Sequence, residues 1–165
     1  MLTITATTFA DISPFAAHQC ELLCHEGSEM QQLFRRARTS GLNAQEKGWR
    51  VVYATYWTRD DTLMVAGWAS LTDWHVDGET RPQAQGFVAP THRKIGIATS
   101  LCVCLTHGMS RDELPVAVFS EEFGSIARRL HWPSTQYKSV TDGWIATASF
   151  GFPQGGDGSG GDEQK

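Results

Sequence analysis

The sequence predicts a mixed α/β domain, in which a central sheet of about six to seven strands is flanked by four helices. Segments rich in β-branched and aromatic residues alternate with segments of helical periodicity, in the order strand, two helices, three strands, helix, strand, helix, two strands. The length of 165 residues suits one domain that can bury a core. An apolar fraction of 41% is ordinary for a globular protein.

The first third of the chain is predicted to form one strand and two helices. Leu2–Phe9 alternates weakly and is rich in β-branched residues, which is typical of a strand. Ser13–Glu26 begins with a capping serine and a proline suited to the first helical position, so a helix is expected there. Ser28–Gly41 opens with a capping box and continues with helical apolar spacing, which predicts a second helix.

The middle of the chain is predicted to form three strands. Trp49–Trp57 and Thr62–Leu71 are apolar, and the polar turn at Arg59–Asp61 between them indicates a hairpin. Asp73–Pro82 is polar and contains a glycine, so it is interpreted as a loop. Gln83–Val88 is the predicted third strand of this group.

The last third is predicted to alternate between the two element types. Gly96–His107 carries a helical apolar stripe, whereas Leu114–Phe119 is a short apolar run typical of a strand covered on both faces. Ser120 is suited to cap a further helix. Tyr137–Val140 and Trp144–Phe150 flank an Asp-Gly pair and are expected to form a hairpin.

Composition and charge argue against several classes of partner. A formal net charge of −4 leaves no basic footprint, so no nucleic acid partner is expected. No apolar run approaches the roughly 20 residues that cross a bilayer, so no membrane partner is expected. Met1–Ala10 lacks the charged and apolar regions of a secretory signal, which predicts a cytoplasmic protein. Residues 1–152 are assigned to the domain and residues 153–165 to a flexible tail rich in glycine and aspartate.

The four cysteines are expected to be free thiols. Cys20 and Cys24 stand four residues apart with two histidines close by, a spacing that would put metal ligands on one helix face. A CxxC pair is absent, so no metal is expected. Cys102 and Cys104 lie in an apolar helix and are expected to be buried as small hydrophobic residues.

The segment Gly86–Ala98, which runs from a strand into the start of a helix, carries the chemical signal. Gly96 has no side chain, so a ligand can approach the backbone closely. The first turn of a helix presents unpaired N–H groups, which form an anion site together with the helix dipole. Arg93 and Lys94 add positive charge, so the segment predicts a phosphate or pyrophosphate site. An ordinary solvated basic pair beside a turn glycine is the alternative interpretation.

The six residues Arg93-Lys94-Ile95-Gly96-Ile97-Ala98 resemble the acetyl-CoA signature of the GNAT N-acetyltransferase superfamily, Q/R-x-x-G-x-G/A. Val88-Ala89-Pro90 resembles the strand end that precedes this loop in the family. The predicted element order is also similar to that of the family, up to about Phe150. The resemblance implies a GNAT-like sheet with acetyl-CoA bound as co-substrate in an opening between the fourth and fifth strands.

The resemblance also implies which residues hold the co-substrate. Two lie at the end of the fourth strand, near the pantetheine arm, and six form the pyrophosphate loop: Phe87, Val88, Arg93, Lys94, Ile95, Gly96, Ile97 and Ala98.

In the family, an amine attacks the thioester directly, which needs a general base and a proton donor. The usual donor is a tyrosine in the pattern N-x-x-A-x-x-x-Y-x-x-x-G-F, on the helix after the fifth strand. Here Ser120 stands at the asparagine and Ala127 at the tyrosine, so the usual acid is missing. Water, Ser120 or Tyr137 remain as substitutes.

Candidate bases lie in the polar segment before the fourth strand, at Asp73, His75, Asp77 and Glu79. His75 titrates nearest to neutral pH, and Glu79 is closest to the strand. The candidate catalytic residues are therefore Glu79, His75 and Ser120, and a polar surface loop is the alternative interpretation of this segment.

The predicted function is transfer of an acetyl group from acetyl-CoA to an amine of a small molecule or a protein. The alternative is a GNAT-like protein that has lost catalysis and serves as an interaction or structural component, with a homodimer or another protein as partner. A third class, a nucleotide-phosphate binder, is disfavoured because the Gly-Lys-Ser/Thr ending of a P-loop is absent.

Overall fold

The chain forms a mixed α/β fold, in which a single sheet has helices packed on both faces. The computed structural model describes residues 1–76, 78–118, 121–133, 135–141 and 144–150. The strands are β1 Leu2–Thr8, β2 Arg50–Trp57, β3 Leu63–Val76, β4 Glu79–Val88, β5 Ala117–Val118, β6 Thr135–Thr141 and β7 Trp144–Phe150. The helices are α1 Pro14–Leu22, α2 Glu29–Arg38, α3 Ala44–Lys47, α4 Ile97–Leu105 and α5 Glu121–Arg129.

The strands lie side by side in sequence order, from β1 to β7. The first four form an antiparallel sheet, which β5 extends in parallel to β4. The pairing between β4 and β5 joins Gln83 to Ala117 and Ala84 to Val118. These are the pairs between the two strands within the described residues.

Alternating side chains of the sheet supply two cores, one on each face. On one face α4 and α5 pack over small strand residues such as Ala69 and Ala84. On the other face α1 and α2 pack over larger residues such as Val65 and Trp68. The neighbours Val51 and Val52 belong to different cores, as expected for a strand whose side chains alternate between faces.

The structure corrects the predicted loop at Asp73–Pro82. β3 continues to Val76 and β4 begins at Glu79, with pairs from Asp73 and Pro82 to Val76 and Glu79. The two strands therefore form a long hairpin. These strand ends consist mostly of polar residues, which are held by backbone pairing across the hairpin, so the segment lacks the apolar alternation of a buried strand.

Three further differences concern element ends and short helices. Helix α1 ends at Leu22, four residues earlier than predicted. The four-residue helix α3 was not predicted, although Asn43 and Glu46 form a capping box at its start. In place of the predicted strand start at Leu114, a 3-10 turn ends at Glu113 and the described part of β5 begins later. None of the described helices has the length and apolar character needed to cross a membrane.

Helices α1 and α2 are joined by a charge cluster around Glu21. Its side chain is only 8% exposed and lies 2.8 Å from Arg35 Nε and 3.0 Å from Arg38 Nη2. Burial raises the pKa of Glu21, but the hydrogen bonds and charge of both arginines together outweigh burial, so the pKa lies below its ordinary value.

This lowered pKa makes a prediction about acid stability. A carboxylate with a depressed folded pKa stabilises the fold above its unfolded pKa of about 4.3 and stops doing so as the pH falls through the folded pKa. The free energy of unfolding of Glu21→Gln should therefore be about 2 kcal/mol lower than that of the wild type at pH 7, and this difference should disappear below about pH 4. Urea unfolding at a series of pH values measures it. Asp60→Asn, at an exposed position, is the control, and a gap independent of pH would contradict the assignment.

Candidate functional site

The chain turns from β4 into α4 through a short irregular segment that exposes the start of the helix. Ala89 N donates to Ala66 O at 2.8 Å, and a 3-10 turn follows at Pro90–His92. Gly96 caps α4 with a left-handed φ of 87°, and no side chain accepts from the first-turn N–H groups. These groups are therefore free to bind an anion.

A cleft of ≈ 340 Å³ lies in front of this helix start, between α4 and α5. Side chains and backbone from the end of β4, the connecting segment and both helices line it: Val88, His92, Arg93, Lys94, Gly96, Ile97, Ala98, Thr99, Glu122, Ser125, Ile126 and Arg129. Three permanent cations and one carboxylate are among them, so the charge of the cleft favours an anionic ligand.

The cations of the cleft are held in different ways. Arg93 Nε donates to Val88 O at 3.0 Å, and its guanidinium lies 5.2 Å from the centre of the Phe87 ring. Arg129 Nη2 lies 3.5 Å from Thr99 Oγ1, which joins α5 to the first turn of α4. Lys94 is exposed, with a left-handed φ of 62°. Arg93 is thus fixed by the strand end, whereas Lys94 reaches into solvent.

Most residues of the predicted pyrophosphate loop face this cleft. Val88, Arg93, Lys94, Gly96, Ile97 and Ala98 are among its lining residues. Phe87 packs instead against the α1 and α2 core, with its ring 6.3 Å from that of His25. The side chain of Ile95 is 64% exposed and does not line the cleft.

Two of the candidate catalytic residues, His75 and Glu79, lie on the β3–β4 hairpin and away from this cleft. His75 is exposed on the hairpin, where its Nδ1 lies 3.0 Å from Thr80 Oγ1. Thr80 precedes Val88 by eight residues, so about 26 Å of strand separates them at 3.3 Å per residue. Glu79 is the first residue of β4. Ser120 and Asp77 lie outside the described residues.

The position of the usual family tyrosine is closed by packing. Ala127 on α5 is fully buried in the core beneath α4. Tyr137, a predicted substitute for the acid, lies on β6 beside Val118 of β5. A tyrosine at position 127 would need space that the core fills, so a donor at this position would require a different packing of α5.

The cleft contains residues that the sequence analysis did not name. Glu122, Ser125 and Arg129 of α5 recur at helical spacing and form one wall. Their periodicity is visible in the sequence, but the packing of α5 beside the start of α4 is not.

Three of the four cysteines are held as protonated thiols at neutral pH by burial. Burial raises the pKa of Cys20 well above its ordinary value, and it raises those of Cys24 and Cys102 to about 12. Cys24 Sγ donates to Cys20 O at 3.2 Å. In the described part of the chain no three histidine, cysteine or acidic residues are grouped so as to hold a metal ion.

Comparison with known proteins gives weak similarity in structure alone. No family model matches the chain, and no curated protein matches its sequence. The crystal structure of a possible acetyltransferase from Clostridium difficile 630 is similar over 79% of this chain and 87% of its own, at 15% identity and a TM-score of 0.40. The crystal structure of the KacTA–DNA complex is similar over 86% and 77%, at 11% identity and a TM-score of 0.36. Similarity this low does not bear on ligands, and the absence of a nucleic acid partner stays a prediction.

Proposed function

We propose that the chain is a GNAT-type N-acetyltransferase, which transfers an acetyl group from acetyl-CoA to an amine of a small molecule or a protein. The observation that carries the proposal is the cationic cleft at the start of α4, where no side chain accepts from the first N–H groups. The signature residues Arg93 and Gly96 stand at this cleft, and α5 adds Arg129 from the opposite wall.

The cleft suits the pyrophosphate of coenzyme A on physical grounds. Each favourable interaction of an anion with a helix start contributes about 0.3–1 kcal/mol, and more where the geometry is partly buried. Guanidinium groups add charge-assisted hydrogen bonds to phosphate oxygens. A cavity of ≈ 340 Å³ holds a diphosphate with part of its substituents but not a whole coenzyme.

The edge of β4 after Ala84 would bind the next part of the co-substrate. Gln83 and Ala84 pair with β5, and the strand continues from them to Val88 at the cleft. The pantetheine arm carries two amide groups, which would pair with this edge much as an added strand does. The arm would then run from the cleft along β4 toward Ala84.

In the proposed reaction, the amine nitrogen bonds to the thioester carbon and the carbon–sulfur bond breaks. The amine loses one proton to a base, and the departing thiolate takes up a proton. Glu79, His75 and Ser120 stay the proposed base and acid candidates. The first two would act on an amine held near the hairpin, since they lie at the end of the β3–β4 hairpin that is far from the cleft.

Charge reversal at Arg129 tests the proposed cleft. In calorimetric titrations with coenzyme A and acetyl-CoA, Arg129→Glu should weaken binding about tenfold, because a phosphate loses a cation and meets a carboxylate. The difference should shrink in 0.5 M salt, where charges are screened within about 4 Å. Lys47→Glu, an equal charge change at an exposed position of α3, is the control. No binding by the folded wild-type protein would overturn the proposal and favour the non-catalytic alternative.

A further inference from the structure

A second cavity, of ≈ 310 Å³, lies on the opposite face of the sheet from the coenzyme cleft. Helix α2, the α3 segment and the strands β3 and β4 enclose it. Its lining residues are Glu29, Met30, Gln32, Leu33, Arg36, Glu46, Trp49, Thr72, Asp73, Gln83 and Gln85. Gln83 and Gln85 alternate along β4 with Ala84, which belongs to the core under α4 and α5.

Gln83 has an unpaired acceptor in this cavity wall. The residue is only 7% exposed, and its Nε2 donates to Thr72 Oγ1 at 2.9 Å and to Asp73 O at 3.3 Å. The Asp73 carbonyl can only accept, which fixes the amide orientation. Gln83 Oε1 has no hydrogen-bond partner in the described part of the chain. The oxygen itself is closed off from solvent, and its uncompensated partial negative charge in the wall favours a cationic ligand in the cavity.

The cavity also carries negative charge that the described residues do not neutralise. Arg36 forms an ion pair with Glu46. Asp73 Oδ2 accepts from Trp49 Nε1 at 3.2 Å and from Gln45 Nε2, which are both neutral donors. No cation of the described chain lies within ion-pair distance of Asp73 or Glu29. Two carboxylates beside an unpaired acceptor are suited to an ammonium group, which has three donors and one positive charge.

From this cavity we infer that the acceptor substrate is an amine that carries a further positive charge. Its ammonium group pairs with Asp73 and is attracted by Glu29, and this group does not react. The inference deepens the proposed function. That the bound amine is the acceptor substrate rests on the proposed function, whereas the cation site itself does not. Gln83 pairs with Ala117 of β5, so the floor of the cavity adjoins the pairing of β4 with β5, along which the pantetheine arm is proposed to run.

The test is a nuclear magnetic resonance titration without any acyl donor. The indole N–H of Trp49, identified by its loss in Trp49→Phe, reports on the cavity because it donates to Asp73. The probes are 1,4-diaminobutane and its neutral analogue 1,4-butanediol. The dissociation constant obtained from the shift of this signal should be at least tenfold lower for the diamine than for the diol. Equal responses, or a response to inorganic phosphate in place of the diamine, would overturn the inference.

Two variants locate the charge that binds the probe. Asp73→Asn and Glu29→Gln should each weaken binding of the diamine about five- to tenfold, whereas Asp60→Asn should leave it unchanged. Glu29 is exposed at the first position of α2, so its variant tests the cavity even where Asp73→Asn perturbs folding. Unchanged affinity in Glu29→Gln together with a folded, unchanged Asp73→Asn would rule out the site.

A coenzyme A titration of the same samples separates the two proposals. If the protein binds coenzyme A but not the diamine, the cation site alone is overturned. If it binds the diamine but not coenzyme A, the proposed transferase function is overturned and the cation site stands.

Discussion

Gly96→Trp is expected to weaken coenzyme A binding by about a hundredfold or more. A Cβ at Gly96 would meet no atom within 4 Å, so the indole would extend into the open cleft that the pyrophosphate would occupy. A hundredfold weakening corresponds to about 2.7 kcal/mol, which is the magnitude expected when several charge-assisted hydrogen bonds to the phosphates are removed together. Calorimetric titration with coenzyme A measures the change.

Gly108→Trp is the matched control for this variant. Gly108 lies beyond the other end of α4, with a left-handed φ of 75° and no atom within 4 Å of a Cβ. Both variants therefore put tryptophan into a strained backbone conformation with open space around it. Coenzyme binding should be lost only at Gly96. A similar loss in both variants would show that binding follows the stability of α4, and unchanged binding in Gly96→Trp would remove the cleft as the site.

Gly86→Ala is expected to destabilise the fold by about 3 kcal/mol, the upper end of the usual range for overpacking. The new Cβ would lie 2.6 Å from Cε1 of Phe123 and 2.7 Å from the backbone oxygen of Trp68. The Phe123 ring is buried in the core, and the Trp68 oxygen is held by the pairing of β3 with β4. Neither group can move away without shifting α5 or the sheet, and urea unfolding measures the loss of stability.

Gly48→Ala is the control, because its Cβ would meet only Gln45 O at 3.7 Å and its backbone is already right-handed helical. It should be neutral or stabilise by up to about 1 kcal/mol. The double variant Gly86→Ala/Phe123→Leu should lose less stability than the sum of the losses in the two single variants, since both changes act on the same packing between α5 and β4. A neutral Gly86→Ala would mean that Phe123 does not lie against β4.

Elements with a strong local pattern were predicted well from the sequence. Helix α2 begins after Ser28, whose side chain accepts from Gln31 N, and its apolar spacing sets the buried face. Strand β2 agrees with its prediction because its apolar residues alternate between two cores. In both cases the information lies within one element, so neighbouring elements do not have to be known.

Elements whose stability comes from pairing were missed. The outer half of the β3–β4 hairpin consists mostly of polar residues, so Asp73–Pro82 has the composition of a loop. Helix α3 is too short to show periodicity, and its Asn43–Glu46 capping box is its only local signal. A pattern that depends on a partner strand or on four residues carries too little information by itself.

The candidate site divides in the same way. Arg93, Lys94 and Gly96 stand together in the sequence, so their anion-binding character is local. Arg129 reaches the cleft only because α5 packs beside α4, and the unpaired oxygen of Gln83 depends on the orientation of Thr72 and Asp73. Site residues that are adjacent in the sequence can be predicted from it, whereas site residues that only the packing of distant elements brings together cannot.

The two cavities lie on opposite faces of β4, which has a consequence for the steady-state kinetics of the proposed enzyme. Neither ligand would block the entrance of the other, so the substrates would add in random order to a ternary complex. Coenzyme A as a product inhibitor would then compete with acetyl-CoA and be noncompetitive toward the amine. A dead-end analogue of the amine would be noncompetitive toward acetyl-CoA, whereas a compulsory order with acetyl-CoA binding first would make the analogue uncompetitive.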